Sequence, residues 1–260
     1  MHNDIFSIGN YTIHGYGLMI GLGVLFGYLD AEHRAKKNDI TVQDEFVLPC
    51  LIWCVVCGLL GAKLLYWLTI LGDIVKDPRI MFEDFSSGFV IYGGILGALA
   101  AASVYSHRHR LNYLPKLDLV FPSLALGQGF GRIGCLLAGC CYGRETADWF
   151  SITFHTSQFA PNGVALIPTQ ILSSALDFLN YFVLCAIYKR SKKPGTVTAC
   201  YLLFYSTGRF IIEFFRGDLI RGSVGVLSTS QFISLFVAAL GVWMLVTSGR
   251  RQSGSPAQGK

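Results

Sequence analysis

Residues 46–71 read FVLPCLIWCVVCGLLGAKLLYWLTIL, and Lys63 is the one charged side chain in this stretch. A helix rises about 1.5 Å per residue, so about 20 apolar residues cross the hydrocarbon layer of a bilayer, which is about 30 Å thick. The stretch is therefore long enough to span a membrane as one helix. Its length and composition predict an integral membrane protein.

The composition of the whole chain supports this prediction. Hydrophobic residues make up 52% of the 260 residues and charged residues only 14%, whereas soluble domains contain about 25% charged residues. We predict an all-α, seven-span transmembrane domain over residues 1–247, with a glycine-rich fourth span kinked or broken near Pro122, and a flexible polar tail over residues 248–260. The predicted spans are Tyr11–Leu29, Phe46–Leu71, Phe89–Tyr105, Leu117–Gly139, Pro168–Tyr188, Val197–Phe215 and Thr229–Val246.

The charges of the loops predict the orientation of the spans. The loops after the first, third and fifth spans are rich in lysine and arginine, as at Lys36, Arg108 and Lys192, whereas the opposite loops mix basic with acidic residues. Basic loops remain in the cytoplasm, so we expect the N-terminus outside and the C-terminus inside. The net charge of +5 then reflects contact with anionic lipid headgroups and not nucleic-acid binding.

Two arginines interrupt apolar segments. Arg132 lies in GQGFGRIGCLLAGCCYGR (127–144), and Arg209 lies in FYSTGRFIIEFFRGD (204–218). An arginine at the centre of a membrane helix costs about 2.5–3.5 kcal/mol, so such residues usually face a partner or a polar cavity. Counted from the cytoplasmic ends of their spans, both lie about 18–22 Å deep. This placement predicts an anion-binding site in the outer half of the bilayer.

Other polar residues are expected at the same depth. Tyr205 and Glu213 lie four residues on either side of Arg209, on one helical face. The alternative is that Arg209 and Glu213 form a purely structural ion pair, while Arg132 caps carbonyls or reaches the outer headgroups. The first turns of three further spans contribute Tyr16, Tyr92 and Gln170.

Small residues recur at helical spacing and predict close helix packing. The pairs are Gly17/Gly21, Gly23/Gly27, Gly93/Gly97 and Gly127/Gly131.

Three of the eight cysteines, Cys135, Cys140 and Cys141, cluster near Arg132. A thiol near a cation has a lowered pKa and can act as a nucleophile, a redox pair or a metal ligand. Three thiols without a nearby histidine fit zinc poorly, and the outer face of a membrane is often oxidising. A disulfide or a reactive thiol is therefore favoured over a metal site. The remaining cysteines are predicted to be packing residues.

Five motifs follow one another along the chain: HGYGLMIGLG from His14, SGFVIYGG from Ser87, GRIGCLLAGCCYGR from Gly131, IPTQ from Ile167 and GRFIIEFFRGD from Gly208. In these motifs and in their order the chain resembles the prolipoprotein diacylglyceryl transferases over nearly its whole length. This resemblance implies a multi-pass enzyme of the bacterial cytoplasmic membrane. Its reaction would move diacylglyceryl from phosphatidylglycerol onto the lipobox cysteine thiol of a preprolipoprotein signal peptide, releasing glycerol phosphate. Such a reaction requires no metal or organic cofactor.

The resemblance also implies roles for single residues. Arg132 and Arg209 match the family's essential arginines, Tyr16 and Tyr205 its functional tyrosines, and Gly143 an important glycine. The chain departs from the best-known members at four positions. Cys135 and Cys140 replace an asparagine and a glutamate, and Tyr92 and Ile167 replace histidines. The group that deprotonates the thiol is left open, with Tyr92, Tyr205 and Glu213 as candidates.

Two other functions remain open at the level of the sequence. One is a membrane thiol enzyme in which Cys140 or Cys141 is the nucleophile or redox partner. The other is a non-catalytic carrier of anionic lipid that uses the same arginines and leaves its lipid chemically unchanged.

Overall fold

The computed structural model describes residues 4–8, 11–37, 46–83, 88–218, 223–225 and 227–253. Helices occupy most of these ranges, and a long helix lies over each of the seven predicted spans. In chain order the helices are α1 (Gly15–Lys37), α2 (Val47–Thr69), α3 (Leu71–Lys76), α4 (Ile80–Glu83), α5 (Ile91–Arg108), α6 (Tyr113–Ala138), α7 (Thr169–Arg190), α8 (Thr196–Glu213) and α9 (Thr229–Ser253).

Four of the described helices are long and apolar enough to cross a membrane. They are α2, α6, α7 and the Thr229–Thr247 part of α9. Large apolar side chains of α2 point outward, with Leu60 57% and Leu68 64% exposed, as expected for a surface that contacts lipid. The membrane class of the fold is therefore supported, whereas the count of seven spans stays a prediction.

Short antiparallel strands accompany the helices. They pair as β1 (Asp4–Ile8) with β2 (Tyr11–His14), β3 (Ile152–Thr153) with β4 (Ala165–Leu166), and β5 (Ser223–Val224) with β6 (Leu227–Ser228).

Two helix bounds in the structure differ from those of the predicted spans. The first helix begins at Gly15, because residues 11–14 pair with β1; their alternating sequence YTIH suits a strand. At the other end, α9 continues to Ser253, into the stretch predicted as a flexible tail, and residues 254–260 of that tail lie outside the described residues.

The fourth predicted span is one continuous helix, α6, and contains Pro122. The predicted break is therefore wrong, while a kink stays a prediction. Proline removes one helical hydrogen bond, which neighbouring side chains can replace in a membrane protein. The guanidinium of Arg34 donates to the carbonyl of Leu119, at 2.6 Å, in the turn that precedes the proline. Further along α6, the hydroxyl of Ser174 donates to the carbonyl of Gly129, at 3.0 Å.

The chain forms two compact units, Ala35–Tyr113 and the combination of Met1–Arg34 with Leu114–Lys260. In the smaller unit, α2 packs on α5, and a Cβ added to Gly93 or Gly97 would overlap a backbone carbonyl of α2. This confirms the predicted glycine contact.

In the larger unit, a Cβ at Gly23 would lie 2.9 Å from the carbonyl oxygen of Gly127, so α1 and α6 also approach closely. Gly17 and Gly21 have no such neighbour within 4 Å among the described residues.

A buried aspartate of α6 fixes the beginning of α8. The carboxylate of Asp118 accepts hydrogen bonds from the backbone N–H of Gly195, at 2.6 Å, and of Thr198, at 2.8 Å, and from the hydroxyl of Thr198, at 2.6 Å. A carboxylate at a helix N-terminus satisfies free N–H groups and interacts favourably with the helix dipole. The contact ties α8 to α6 and so helps to place Arg209 near Arg132.

A second buried polar cluster joins α1, α6 and α7. The carboxylate of Asp30 pairs with Arg34, at 2.6 Å, and accepts hydrogen bonds from Ser123, at 2.7 Å, and Tyr181, at 3.0 Å. This cluster is not predictable from the sequence, because its members lie on three different helices.

Candidate active site

A cavity of about 630 Å³ is lined by residues of α6, α7 and α8 in the larger unit. Most of its lining is apolar, as Leu176, Leu203 and Ile212 illustrate. The structure thus brings together three residues predicted from the sequence: Arg132 from α6, and Tyr205 and Arg209 from α8. The polar lining also includes Ser173, Asp177, Asn180 and Thr207.

Arg132 faces Asp177, an acidic residue that was not among the predicted site residues. Its Nε atom lies 3.8 Å from Oδ2 of Asp177, and the two side chains are 23% and 10% exposed. Asp177 could have been predicted from the sequence, because it is an isolated charge within the apolar segment SSALDFLNYF (173–182). An acid in a membrane helix usually pairs inward. The guanidinium makes no hydrogen bond to another described residue, so its N–H groups remain available to a ligand.

Arg209 is held by two neighbours. Its Nη2 atom lies 2.8 Å from Oε2 of Glu213 and donates to the hydroxyl of Ser230 on α9, also at 2.8 Å. The predicted pair of Arg209 and Glu213 is therefore present. Glu213 also lies 4.0 Å from Nε of Arg216, so this carboxylate contacts two guanidinium groups. A guanidinium has five N–H donors. The contacts with Glu213 and Ser230 use only some of the donors of Arg209, so others can bind a ligand in the cavity.

Tyr16 and Gln170, two further predicted residues of the larger unit, are not among the residues that line this cavity. Tyr16 lies at the start of α1 beside Gly134 of α6, where a Cβ added to the glycine would lie 3.3 Å from the tyrosine ring. Gln170 is buried and donates from Nε2 to the carbonyl of Cys140, at 2.9 Å. Tyr92 is the second residue of α5 in the smaller unit and is 41% exposed.

Gly143 belongs to the segment that follows α6 and joins the ends of three helices. Its N–H donates to the carbonyl of Ile167, at 3.1 Å, and the N–H of Arg144 donates to the carbonyl of Phe215, at 2.9 Å. Residue 143 also forms an isolated bridge with Arg216. The segment therefore connects the residues just before α7 with those just after α8, at one end of the cavity-lining helices.

Gly143→Ala should destabilise the protein by about 1–3 kcal/mol, the usual cost of overpacking. A Cβ at this position would overlap the carbonyl oxygen of Ile167 and lie 3.0 Å from that of Phe215. Thermal unfolding in detergent measures the effect. Gly21→Ala is the matched control, since no described atom lies within 4 Å of its added Cβ. Equal melting temperatures for the two variants would contradict the expected strain.

The three clustered cysteines meet in space. The sulfur atoms of Cys135, Cys140 and Cys141 all lie within 4.8 Å of one another, and none forms a disulfide. Hydrogen bonds with Cys135 and Cys141, together with burial, raise the pKa of the Cys140 thiol. In this arrangement Cys140 is protonated at neutral pH and is a poor nucleophile, because the thiolate is the reactive form.

The fold and the cavity together define a class of protein. Two guanidinium groups, each beside a carboxylate, line an apolar cavity between α6, α7 and α8, and of these helices α6 and α7 are long and apolar enough to cross a membrane. This arrangement is typical of a membrane protein that binds an anionic group with apolar chains attached. The family profile described as prolipoprotein diacylglyceryl transferase matches residues 3–247. The chain belongs to this family.

Relatives that match almost the full length of the chain support the family assignment. The phosphatidylglycerol–prolipoprotein diacylglyceryl transferase of Clostridium tetani is 43% identical over 92% of this chain and 95% of its own length. The second such enzyme of Clostridium perfringens is 43% identical over 96% of this chain and 97% of its own. The Pseudomonas aeruginosa enzyme is 30% identical over 96% of this chain and 94% of its own.

Proposed function

We propose that this protein transfers the diacylglyceryl group of phosphatidylglycerol to the lipobox cysteine thiol of a preprolipoprotein, releasing glycerol phosphate, in the bacterial cytoplasmic membrane. One observation carries the residue assignment: Arg132 and Arg209 line the same cavity, among apolar side chains. Guanidinium groups match a phosphate in charge and in hydrogen-bond geometry, and the apolar lining suits the acyl chains of a lipid.

The arginines would act on the leaving group. When the carbon–oxygen bond to the phosphate breaks, negative charge grows on the departing glycerol phosphate. Fixed donors in a water-poor cavity stabilise that charge without having to reorganise. Asp177 and Glu213 contribute by holding the two guanidinium groups in place before the lipid arrives. Tyr205 lines the same cavity and would donate a hydrogen bond from its hydroxyl to the lipid headgroup.

The test is a reconstituted transfer reaction. Purified protein is incubated with labelled phosphatidylglycerol and a lipobox peptide, and the thioether product is sought by mass spectrometry. Phosphatidylcholine, in which choline replaces the glycerol headgroup, is the matched control lipid. Formation of the thioether from phosphatidylglycerol supports the proposal. Binding of the lipid without any product would indicate a carrier, and diacylglyceryl attached to an enzyme cysteine would indicate a thiol enzyme.

Asn180 is expected to contribute to lipid binding. Its side chain is 7% exposed and lines the cavity, and neither Nδ2 nor Oδ1 has a partner among the described residues. An ester group of the lipid could satisfy this amide. Asn180→Leu should raise KM for the lipid about 2- to 10-fold, the value of one hydrogen bond. It should also raise the melting temperature, because an unsatisfied buried amide is removed. Leu179→Met, in the same lining, is the control, and an unchanged KM in Asn180→Leu would contradict the role.

The proposed orientation places Lys192 in the cytoplasm and Asp148 outside. Both residues are exposed, and the excess of lysine and arginine on one set of loops gives the direction. Single cysteines at these positions, in a background without native cysteines, are labelled with a membrane-impermeant reagent. In intact cells we expect labelling at position 148 and none at position 192 until the membrane is permeabilised. Ready labelling of position 192 in intact cells would reverse the orientation.

A further inference from the structure

The three-thiol cluster is the feature that the arginine cavity does not explain. Cys135 is on the last turns of α6, and Cys140 and Cys141 lie in the turn that follows. The sulfur atoms are all within 4.8 Å of one another, and no histidine or carboxylate among the described residues completes the group. Three converging thiols are an unusual arrangement, since isolated buried cysteines ordinarily serve as small apolar residues.

The backbone holds this cluster in place. Gly139 and Cys141 adopt positive φ angles of 74° and 60°, and the resulting tight turn carries the chain back toward Cys135. The first residues of α7 fix the turn, because the hydroxyl of Thr169 donates to the carbonyl of Cys141, at 2.8 Å, and the amide of Gln170 donates to the carbonyl of Cys140, at 2.9 Å. Gln170 thus has a positioning role here.

The distances suit a thiophilic metal ion. Zinc–sulfur bonds are about 2.3 Å long, so tetrahedral geometry places neighbouring sulfur atoms about 3.8 Å apart. Because the three sulfur atoms already lie within 4.8 Å of one another, they need to approach by no more than about 1 Å. Side-chain rotation can supply a shift of this size.

The surrounding charge also suits a metal bound by thiolates. Three thiolates and one Zn²⁺ carry a net charge of about −1, which a nearby cation can balance. The guanidinium of Arg216 interacts with Cys141, and Arg132 interacts electrostatically with Cys135 and Cys141. Cys135 also lies three residues after Arg132 on α6, and residues three apart are neighbours on a helix surface. The cluster is therefore close to Arg132 of the proposed active site.

We propose that Cys135, Cys140 and Cys141 bind a zinc ion whose fourth position accepts the thiol of the acceptor peptide. Three protein ligands and one open position are the pattern of catalytic zinc sites, whereas structural sites are closed by four. The absence of a histidine argued against zinc at the level of the sequence, but an open three-cysteine site needs none. This inference rests on the proposed transfer function, and it assigns the group that activates the thiol. It departs from the expectation, implied by the family resemblance, that the reaction requires no metal, because Cys135 and Cys140 stand where the best-known members have an asparagine and a glutamate.

The proposed step balances without another reactant. The acceptor thiol binds zinc and loses its proton, because a coordinated thiol is deprotonated. The sulfur lone pair then attacks the glyceryl carbon, a carbon–sulfur bond forms, and the carbon–oxygen bond to phosphate breaks. The electron pair of that bond leaves with glycerol phosphate. The proton released by the thiol passes to water, and glycerol phosphate takes up one proton from water, so the step balances. The neutral thioether is a weaker ligand and leaves the metal.

The first test measures metal content. The full-length protein, purified in detergent without chelators and with a reductant that does not bind metals, should contain about one zinc per chain by elemental mass spectrometry. Cys140→Ser and Cys141→Ser should each lower that content at least about tenfold. Cys200→Ser is the matched control and should retain the metal, since Cys200 packs in a separate hydrophobic cluster. Metal-free protein, or a disulfide within the cluster of freshly purified protein, would overturn the inference.

The second test separates an open site from a closed one. Cobalt replaces zinc, and its visible spectrum reports each thiolate ligand. Adding a lipobox peptide should increase the sulfur-to-cobalt absorption, whereas the same peptide with serine in place of cysteine should not. An unchanged spectrum with the cysteine peptide would overturn the assignment of the fourth position, even if zinc is present.

The third test separates this inference from the proposed function. Chelation should lower thioether formation at least about tenfold, and added zinc should restore it. Full transfer by metal-free protein would overturn the zinc role and leave the transfer function intact. Zinc binding and the cobalt response without any transfer would overturn the proposed function and leave the metal site.

Discussion

Arg132→Lys should lower the rate of diacylglyceryl transfer at least about tenfold, equivalent to about 1.4 kcal/mol of activation free energy. Lysine retains the charge but replaces a planar fork of donors with a compact ammonium group. Arg132→Ala should cost more, about 10²- to 10³-fold, the usual effect of removing one fixed donor to a developing anion. Transfer rates with labelled phosphatidylglycerol, together with melting temperatures, measure both effects.

A structural role for Arg132 predicts a different pattern. If Arg132 only neutralises Asp177, which lies 3.8 Å away, then the Arg132→Ala/Asp177→Asn double variant should recover both stability and transfer. Arg34→Lys is a second control, because Arg34 is a buried arginine of the Asp30 cluster and does not line the cavity. It should lower the melting temperature and leave the rate per folded molecule unchanged. Recovery of transfer in the double variant would refute the phosphate role.

Arg209→Ala should lower transfer by about 10²- to 10³-fold and should also lower the melting temperature. The variant removes the 2.8 Å partner of Glu213, whose side chain is 8% exposed. Breaking a buried ion pair on one side typically costs about 3–5 kcal/mol. The loss of stability should fall toward the lower end of this range, because Arg216 remains 4.0 Å from the same carboxylate.

Adding Glu213→Gln to Arg209→Ala distinguishes the two roles of this arginine. A neutral amide needs no cationic partner, so the double variant should regain much of the lost stability while transfer stays low. Ser230→Ala is the matched control, since it removes the neutral hydrogen bond to Arg209 and should change the rate by about tenfold or less. Near wild-type turnover in Arg209→Lys, or full rescue of transfer by the double variant, would exclude the phosphate assignment.

Much of the fold and part of the site follow from local features of the sequence. Apolar segments of about 20 residues indicate the membrane class, and a helix lies over each predicted span. The glycine contact between α2 and α5 is predictable because small residues repeat at helical spacing. The pair of Arg209 and Glu213 is also predictable, since residues four apart face each other on one helix.

The tertiary structure decides the partners that lie on different helices. It places Asp177 beside Arg132, opens the cavity to Tyr205 and Arg209 and directs Gln170 toward the cysteine turn. It also brings the three thiols together, because Thr169 of α7 hydrogen-bonds to the turn that carries two of them. The period of a helix determines only which residues of that same helix share a face. Which faces meet depends on the packing of α6, α7 and α8 as a group, and no local segment contains that information.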